Sequence, residues 1–312
     1  MPVPIPKMPT KKPAPAKPAP AKPAPAKPAP EKVKITFGRI EDETAGQIII
    51  LAGKGGSGKT TAALMKPGET AFFDLEDTLP TLKTRIAEIA PERLDHIHVA
   101  PFEAEGGARD YEKLCELMEA DGYDGMNTVV IDSHSVVQEI LKPYTFITTP
   151  FKDSKGNKPP CNSVEDYPFG TFPSYARINY ARLWNAIQTH KRAGRDVIII
   201  AHAIMETIPD QNMNDMKQWQ FDAYTAKSGK DALREFMFNN ADQVWFLDAG
   251  LRRCVDDRKK VKTEDAASGG RFLHVTEEPL IQVKSRTYCG DSPLFIADGD
   301  TLPWNEILGR AE

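Results

Sequence analysis

The stretch from residue 47 to residue 61 reads QIIILAGKGGSGKTT and decides the fold. Its apolar part, residues 48–51, is a short β-branched run that is typical of a strand buried on both faces of a sheet. Residues 53–60 then match the pattern G-x-x-x-x-G-K-[ST] at every position. Residues 61–65 follow as the first turn of a helix. Strand, glycine-rich loop and helix therefore occur in the order that a phosphate-binding loop, or P-loop, requires.

The residue types in this loop suit a nucleotide. Glycine lets the backbone wrap an anion where a side chain would intrude. Backbone N–H groups and the positive end of the following helix then face the phosphates. Lys59 is expected to reach the β- and γ-phosphates, and the Thr60 hydroxyl to ligate Mg²⁺. The alternative is a glycine-rich turn with an unrelated lysine. We predict that ATP and Mg²⁺ bind at Gly53, Lys54, Gly55, Gly56, Ser57, Gly58, Lys59, Thr60 and Thr61.

The chain of 312 residues begins with a low-complexity segment. Residues 1–32 hold seven lysines and one acidic residue, whereas the whole chain has a net charge of −4. PAPAK occurs three times and is followed by PAPEK, a composition that favours an extended polyproline-like tether over helix or sheet. We interpret it as a disordered, solvated spacer. An electrostatic contact with nucleic acid or an acidic partner is the alternative.

Composition also excludes several classes of protein. No apolar segment follows the basic start as in a secretory signal, and no apolar run reaches the ~20 residues that a membrane-spanning helix needs. The four cysteines are scattered, without a C-x-x-C pair. This pattern indicates reduced thiols in a cytoplasmic protein, with neither a disulfide framework nor a zinc site.

Three more apolar runs end in polar residues that are candidates for catalysis. Residues 70–75 lead to Glu76, which we expect to position or activate a water molecule, although the acids here are equally suited to cap the next helix. Residues 128–131 end at Asp132, the Walker B pattern in which a carboxylate holds the Mg²⁺ shell. Residues 196–203 contain His202, a candidate sensor of the γ-phosphate or a purely structural histidine.

Two segments read as irregular. Residues 142–175 carry six prolines and are too long for an ordinary connection, so they are either functional or mobile. Residues 205–231 interleave positive charge with aromatic rings, a composition that grips single strands through phosphate contacts and stacking. A lid or a packing hairpin is the alternative. The candidate nucleic-acid residues are Lys217, Trp219, Phe221, Tyr224, Lys227 and Lys230.

The order GKGGSGKTT, FFDLED, TVVIDS, VIIIAHA, VWFLDAG and VKSR resembles the phage-type RecA-like P-loop ATPases, over roughly residues 46–290. That group includes small phage single-strand annealing proteins. The resemblance implies a catalytic carboxylate at Glu76, a metal-holding Asp132, a coupling residue at His202, and a K-x-R pair, Lys284 and Arg286, that reaches a neighbouring subunit's γ-phosphate. The sequence lacks the N-terminal helix–strand arm of RecA, and residues 142–175 have no obvious counterpart in the family.

The resemblance sets our expectations. We expect a RecA-like α/β domain at residues 33–312, with a mainly parallel sheet flanked by helices. We expect a DNA-stimulated ATPase that acts on single-stranded DNA in phage recombination or replication, by annealing or other strand handling, in the cytoplasm of an infected bacterial host. We also expect a homo-oligomer, either a ring or a filament. A single-strand-binding protein is a further candidate partner.

Two alternatives stay open. K-G-G-x-G-K-T-T, with Lys54, is also similar to the deviant Walker A motif of ParA/MinD ATPases, in which that lysine reaches across a dimer. Against it, the second strand here gives Asp74-Leu-Glu76 and not the D-x-D-like pattern, and a K-x-R pair occurs late in the chain. The other alternative is a nucleotide-gated adaptor with little turnover, which uses the PAPAK tether to recruit a partner.

Overall fold

A computed structural model describes residues 46–151, 156–157, 159–208, 215–225, 232–249, 251–255, 261–265, 270–297 and 299–310. For 251–255 and 261–265 the description covers the backbone. The PAPAK tail, the start of the expected domain at 33–45, and the candidate residues Lys227 and Lys230 lie outside the described residues.

The strand that precedes the P-loop lies inside the sheet. Strand β1, Ile48–Gly53, is buried at all six residues. Strands β5, Asp196–Ile208, and β7, Gln243–Ala249, pair with it in parallel, one on each edge. Successive residues of β1 enter two hydrophobic cores alternately, with Ile50 in one and Leu51 in the other. The expected burial on both faces is therefore confirmed, as the period of two in a strand requires.

Three further parallel strands extend the sheet on the β5 side. Strand β4, Thr128–Asp132, pairs with β5, and β2, Thr70–Asp74, pairs with β4. Strand β3, Ile97–Val99, forms the edge beside β2. Because these strands run in the same direction as β1, their carboxyl ends meet at the edge of the sheet where the P-loop begins.

The remaining strands are antiparallel. Strand β10, Arg271–His274, pairs with β7, and β11, Leu294–Ile296, pairs with β10. Strand β6, Met216–Phe221, forms a hairpin with the second half of β5. Strands β8 and β9, at Leu251–Val255 and Val261–Asp265, form a separate two-stranded sheet.

Helices cover both faces of the main sheet. They are α1 Lys59–Leu64, α2 Leu79–Ile89, α3 Ala108–Glu119, α4 His134–Thr148, α5 Phe172–Arg192, α6 Leu233–Asn240 and α7 Trp304–Ile307. Helices α3 to α6 contribute to the core that contains Ile50, and α1, α2 and α7 to the core that contains Leu51. A mainly parallel sheet between two helical layers confirms the expected RecA-like fold class. In the described part of the chain, no helix has the length and apolarity to cross a bilayer.

Two local expectations were wrong. Residues 142–148, expected to be irregular, continue α4 through Pro143, because its buried face packs on the core. The strand that begins at Asp196 continues past residue 203, because β6 supplies a partner along its second half. Within residues 280–283, Ile281 forms isolated bridges, one of which joins it to Trp219.

A buried ion cluster holds the end of the sheet that lies away from the P-loop. Asp196, which is 1% exposed, accepts a hydrogen bond of 2.8 Å from the backbone N–H of Gln47. Its carboxylate lies 3.0 Å from Lys66 Nζ and 2.6 Å from Arg310 Nη2. Burial raises the pKa of the Asp196 carboxyl, but Arg310 and Lys66 outweigh this effect and hold the pKa below its usual value. The cluster joins the starts of β1 and β5 to the segment that follows α1.

Candidate functional site

The P-loop adopts the conformation that phosphate binding requires. Gly56 and Gly58 have φ values of +74° and +86°, a region that side chains disfavour. A Cβ atom at Gly53 would lie 2.3 Å from the carbonyl oxygen of Leu247, so neighbouring backbone fills the space beside this residue. The Ser57 hydroxyl is buried and has no hydrogen-bond partner among the described residues. An anion held by the loop is the kind of group that would satisfy such a donor.

Lys59 lies at the start of α1 and is 6% exposed. Its ammonium group donates hydrogen bonds to the carbonyl oxygens of Gly53, at 3.0 Å, and Lys54, at 2.8 Å. Burial lowers the pKa of this ammonium, although the charges of Asp132 and Glu76 oppose the effect. The loop thus holds a partly desolvated cation at its mouth, next to two carboxylates.

Thr60 and Asp132 meet across the site. The Thr60 hydroxyl donates a hydrogen bond of 2.6 Å to the Asp132 carboxylate, which is 2% exposed at the end of β4. Burial raises the pKa of the Asp132 carboxyl to about 6, and the hydrogen bond from Thr60 offsets this in part. A carboxylate and a hydroxyl are the hard oxygen ligands that Mg²⁺ prefers, so this pair fits the metal that the P-loop implies.

Glu76 faces the same cleft. The Ser133 hydroxyl donates a short hydrogen bond to Glu76 Oε1, and His202 Nε2 lies 3.4 Å from the same oxygen. Glu76 is 28% exposed and His202 42% exposed, so both can meet solvent or a ligand. Glu76 and Ser133 follow the ends of β2 and β4, and His202 lies within β5 at the level of Gly53, so the sheet brings the three side chains together.

The acidic residue that caps helix α2 is Asp74 and not Glu76. Asp74 Oδ1 accepts a hydrogen bond of 3.0 Å from the backbone N–H of Thr78, and Asp74 Oδ2 accepts one of 2.8 Å from that of Leu79. These are the unpaired amides at the start of α2. Because Asp74 satisfies them, Glu76 is left to face the cleft.

One cleft of about 320 Å³ joins these groups. It is lined by Gly55, Gly56, Gly58, Lys59, Thr60, Thr61, Glu76, Leu82, Arg85, Asp132, Ile200, His202 and Arg271. The structure therefore brings together the candidates Lys59, Glu76, Asp132 and His202. Sequence reasoning missed Arg85 and Arg271. No sequence motif marks either arginine, and Arg271 reaches the cleft from an antiparallel strand remote in sequence.

Lys54, the residue that suggested the ParA/MinD-like alternative, contacts its own chain. Its Nζ lies 3.4 Å from Asp248 Oδ1 and 4.7 Å from the centre of the Trp219 ring. The cation–π contact and the ion pair link the P-loop to β6 and β7.

Lys284 and Arg286 lie outside this cleft. Lys284 pairs with Val244, which is level with Ile50, about 10 Å before the end of β1. Its ammonium donates to three carbonyl oxygens around the end of α6, those of Phe238, Asn239 and Ala241, at 2.8–3.1 Å. Arg286 Nη1 donates a hydrogen bond of 2.9 Å to Asp242 and is half exposed. Their action in a neighbouring subunit's site stays a prediction.

The residues predicted to contact nucleic acid differ in how far they are buried. Phe221 is 1% exposed, and Tyr224 packs edge-on against Phe172 at 5.2 Å between ring centres. A buried ring offers no face to a base, so we assign Phe221 to packing, which corrects the expectation. Lys217 is exposed and Trp219 is half-buried, and both lie on the β5–β6 hairpin.

Comparison with known proteins places the chain among P-loop proteins. Residues 45–287 match the AAA_24 family, described as an AAA domain. The structure is similar to that of a KaiC-like protein from Pyrococcus horikoshii OT3, with 14% identity over 75% of this chain and 80% of that chain and a TM-score of 0.35. It is also similar to the RadB recombinase, with 15% identity over 78% of this chain and 92% of that chain and a TM-score of 0.36. A search of curated proteins finds no match.

The buried Asp132 carboxylate gives a prediction about stability. The folded protein binds a proton at Asp132 up to a pKa of about 6, whereas the usual value is 3.8. Deprotonation therefore destabilises the folded state as the pH rises from about 4 to above 6. We expect Asp132→Asn to raise the free energy of unfolding of the nucleotide-free protein at pH 7.5 by roughly 1–3 kcal/mol, measured by urea denaturation without Mg²⁺.

The gain should disappear below about pH 3, where the wild-type carboxyl is protonated in both the folded and the unfolded state. Asp124→Asn, at an exposed position, is the matched control and should change stability little. A less stable Asp132→Asn protein at pH 7.5 would contradict the account of this buried carboxylate.

Proposed function

The chain belongs to the AAA_24 family and has a RecA-like P-loop fold, and from this premise we propose that it binds Mg-ATP and hydrolyses it to ADP and phosphate. The observation that carries the proposal is the convergence of Lys59, the Thr60–Asp132 pair and Glu76 in one cleft beside the P-loop. A binding module without turnover would have no need for a second carboxylate facing the position of the terminal phosphate.

Each residue has a distinct role in the proposed reaction. Lys59 binds the β- and γ-phosphates when its ammonium turns from the loop carbonyls, and Thr60 and Asp132 hold the metal. When bound there, Mg²⁺ would supply positive charge that stabilises the transferring phosphoryl group. Glu76, positioned by the Ser133 hydroxyl, orients the attacking water and accepts its proton as the oxygen bonds to the γ-phosphorus and the bond to the ADP oxygen breaks.

Two variants separate binding from chemistry. Lys59→Ala should abolish measurable ATP binding, because it removes the cation that contacts the phosphates. Glu76→Gln should retain ATP binding and lower kcat by roughly 10²–10⁴-fold, because the amide cannot accept the proton. Calorimetric titration and steady-state phosphate release give the two quantities.

Glu116→Gln, an exposed carboxylate on α3, is the control and should leave both quantities unchanged. Unchanged ATP affinity in Lys59→Ala would overturn the assignment of the site. A Glu76→Gln protein with wild-type turnover would remove Glu76 from the mechanism and leave the metal and P-loop residues in place.

We further propose single-stranded DNA as the effector, bound by the β5–β6 hairpin, in phage recombination or replication. Strand β5 carries His202 in the cleft and continues directly into this hairpin. The carbonyl oxygen of His202 accepts a hydrogen bond of 2.8 Å from the N–H of Asp222, at the other strand's end. Lys54 joins the P-loop to Trp219 on the same hairpin. These contacts connect the nucleotide site to two side chains of the hairpin. The exposed Lys217 is suited to contact a phosphate, and the half-buried ring of Trp219 is suited to stack on a base.

The ATPase rate with and without single-stranded DNA tests this proposal. DNA should stimulate hydrolysis, and Lys217→Ala should raise the DNA concentration that gives half-maximal stimulation and lower its salt dependence. Lys83→Ala, an exposed lysine on α2, is the control. Stimulation by a protein partner alone would favour the ParA-like alternative, and negligible turnover under all conditions would favour the adaptor.

We propose that the active form is a homo-oligomer in which Arg286 completes a neighbouring site, since it lies half exposed and outside its own cleft. Mixing Lys59→Ala with Arg286→Ala subunits should then restore part of the hydrolysis that each lacks alone. Mixing Lys59→Ala with Glu76→Gln is the control, because both defects lie in the same subunit's cleft, and it should give no rescue. Failure of the first mixture at every ratio would contradict the role in a neighbouring site.

A further inference from the structure

Arg271 reaches the nucleotide cleft from the antiparallel side of the sheet. In β10, Leu273 pairs with Leu247 of β7, and Leu247 is level with Gly53, the last residue of β1. Arg271 pairs with Ala249, two residues further on. Its Cα therefore lies about 7 Å beyond the end of β1, at the level where the P-loop turns.

The guanidinium group of Arg271 lies against the P-loop backbone at Gly58. A Cβ atom built on Gly58 would lie 2.6 Å from Arg271 Cζ, 2.8 Å from Nε and 2.9 Å from Nη2. Glycine at this position thus serves two purposes: it allows the φ of +86°, and it lets the guanidinium approach the loop.

Arg271 has no ion pair or hydrogen bond among the described residues, although it is half-buried. Arginines that are more buried or more exposed than Arg271 have partners: Arg234 pairs with Glu206, Arg286 with Asp242 and Arg310 with Asp196. A partly desolvated guanidinium without a counter-charge is unfavourable unless a ligand supplies one. Its planar set of donors matches phosphate oxygens in particular.

The position of Arg271 indicates which phosphates it would meet. The P-loop amides around Gly58 cradle the α- and β-phosphates, whereas Lys59 extends to the β- and γ-phosphates. Arg271 also lines a smaller cavity with Thr61 and Met65, on the flank of α1. Glu76, at the water-activating end, does not line that cavity. Arg271 therefore lies at the end of the site that ATP and ADP share.

We propose that Arg271 is a binding residue for the α- and β-phosphates of the nucleotide in its own subunit. The proposal rests on the proposed function and adds a cation that no P-loop motif contains. Because the contact is made equally to ATP, to ADP and in the transition state, it contributes uniform binding. Arg271 then sets the affinity for nucleotide and leaves the rate of the chemical step unchanged.

Direct titration of ADP and of Mg-ATP into Arg271→Ala, Arg271→Lys and wild type tests the proposal. Arg271→Ala should raise the Kd of both nucleotides by a similar factor, roughly 10- to 100-fold, and raise KM while kcat changes less than about twofold. Arg271→Lys should recover part of the affinity, since it keeps the charge and loses the planar set of donors. The thermal midpoint of nucleotide-free Arg271→Ala should stay the same or rise, because no ion pair is lost and an uncompensated charge is removed.

Arg192→Ala, which removes an exposed arginine near the end of α5, controls for net charge and should leave both affinities unchanged. Unchanged ADP affinity in Arg271→Ala, or a defect limited to ATP or to kcat, would overturn the proposal while the Mg-ATP site stands. A wild-type protein that binds no nucleotide would remove the proposed function and this inference together.

Discussion

The position of strand β1 is the constraint on which the site depends. It is paired in parallel along both edges and buried on both faces, so neither its register nor its end can shift without disrupting two neighbouring strands and two cores. The carbonyl oxygen of Leu247 lies so close to Gly53 that no side chain fits there. At the far end, the buried Asp196 cluster holds the start of the same strand. The P-loop therefore begins at a defined point, and the other cleft residues are placed relative to it by strand pairing.

The cleft concentrates buried charge that the nucleotide-free protein compensates incompletely. Burial raises the pKa of the Asp132 carboxyl to about 6 and lowers the pKa of the Lys59 ammonium. The Ser57 hydroxyl lacks a partner within the described residues. Such groups are unfavourable in an empty protein and become favourable when a metal ion and phosphates meet them. These groups lower the stability of the nucleotide-free protein, and the binding of metal and phosphates recovers that free energy.

The same strands that build the cleft extend into the surface that we propose for DNA. His202 lies in the cleft, and its strand β5 continues for six residues into the hairpin with β6. Lys54 contacts Trp219 and Asp248, which belong to β6 and β7. A change in the P-loop on nucleotide binding would therefore alter contacts at the hairpin, as a coupling between two sites requires.

The sequence alone determined the P-loop and the buried strands before it and before Asp132, because each of these depends on local patterns: a run of apolar residues, a glycine-rich motif, a polar residue at a strand end. The parallel, helix-flanked sheet followed from the resemblance of these motifs, in their order along the chain, to RecA-like ATPases. The sequence could not decide between Asp74 and Glu76 as cap and cleft residue, since three acids lie within four positions and only the start of α2 shows which of them meets its amides. Nor could it show that Phe221 is buried, that Lys284 contacts the end of α6, or that Arg271 lies over Gly58. These features depend on which distant strands pair and in which register, and strand pairing is decided by the packing of the whole sheet.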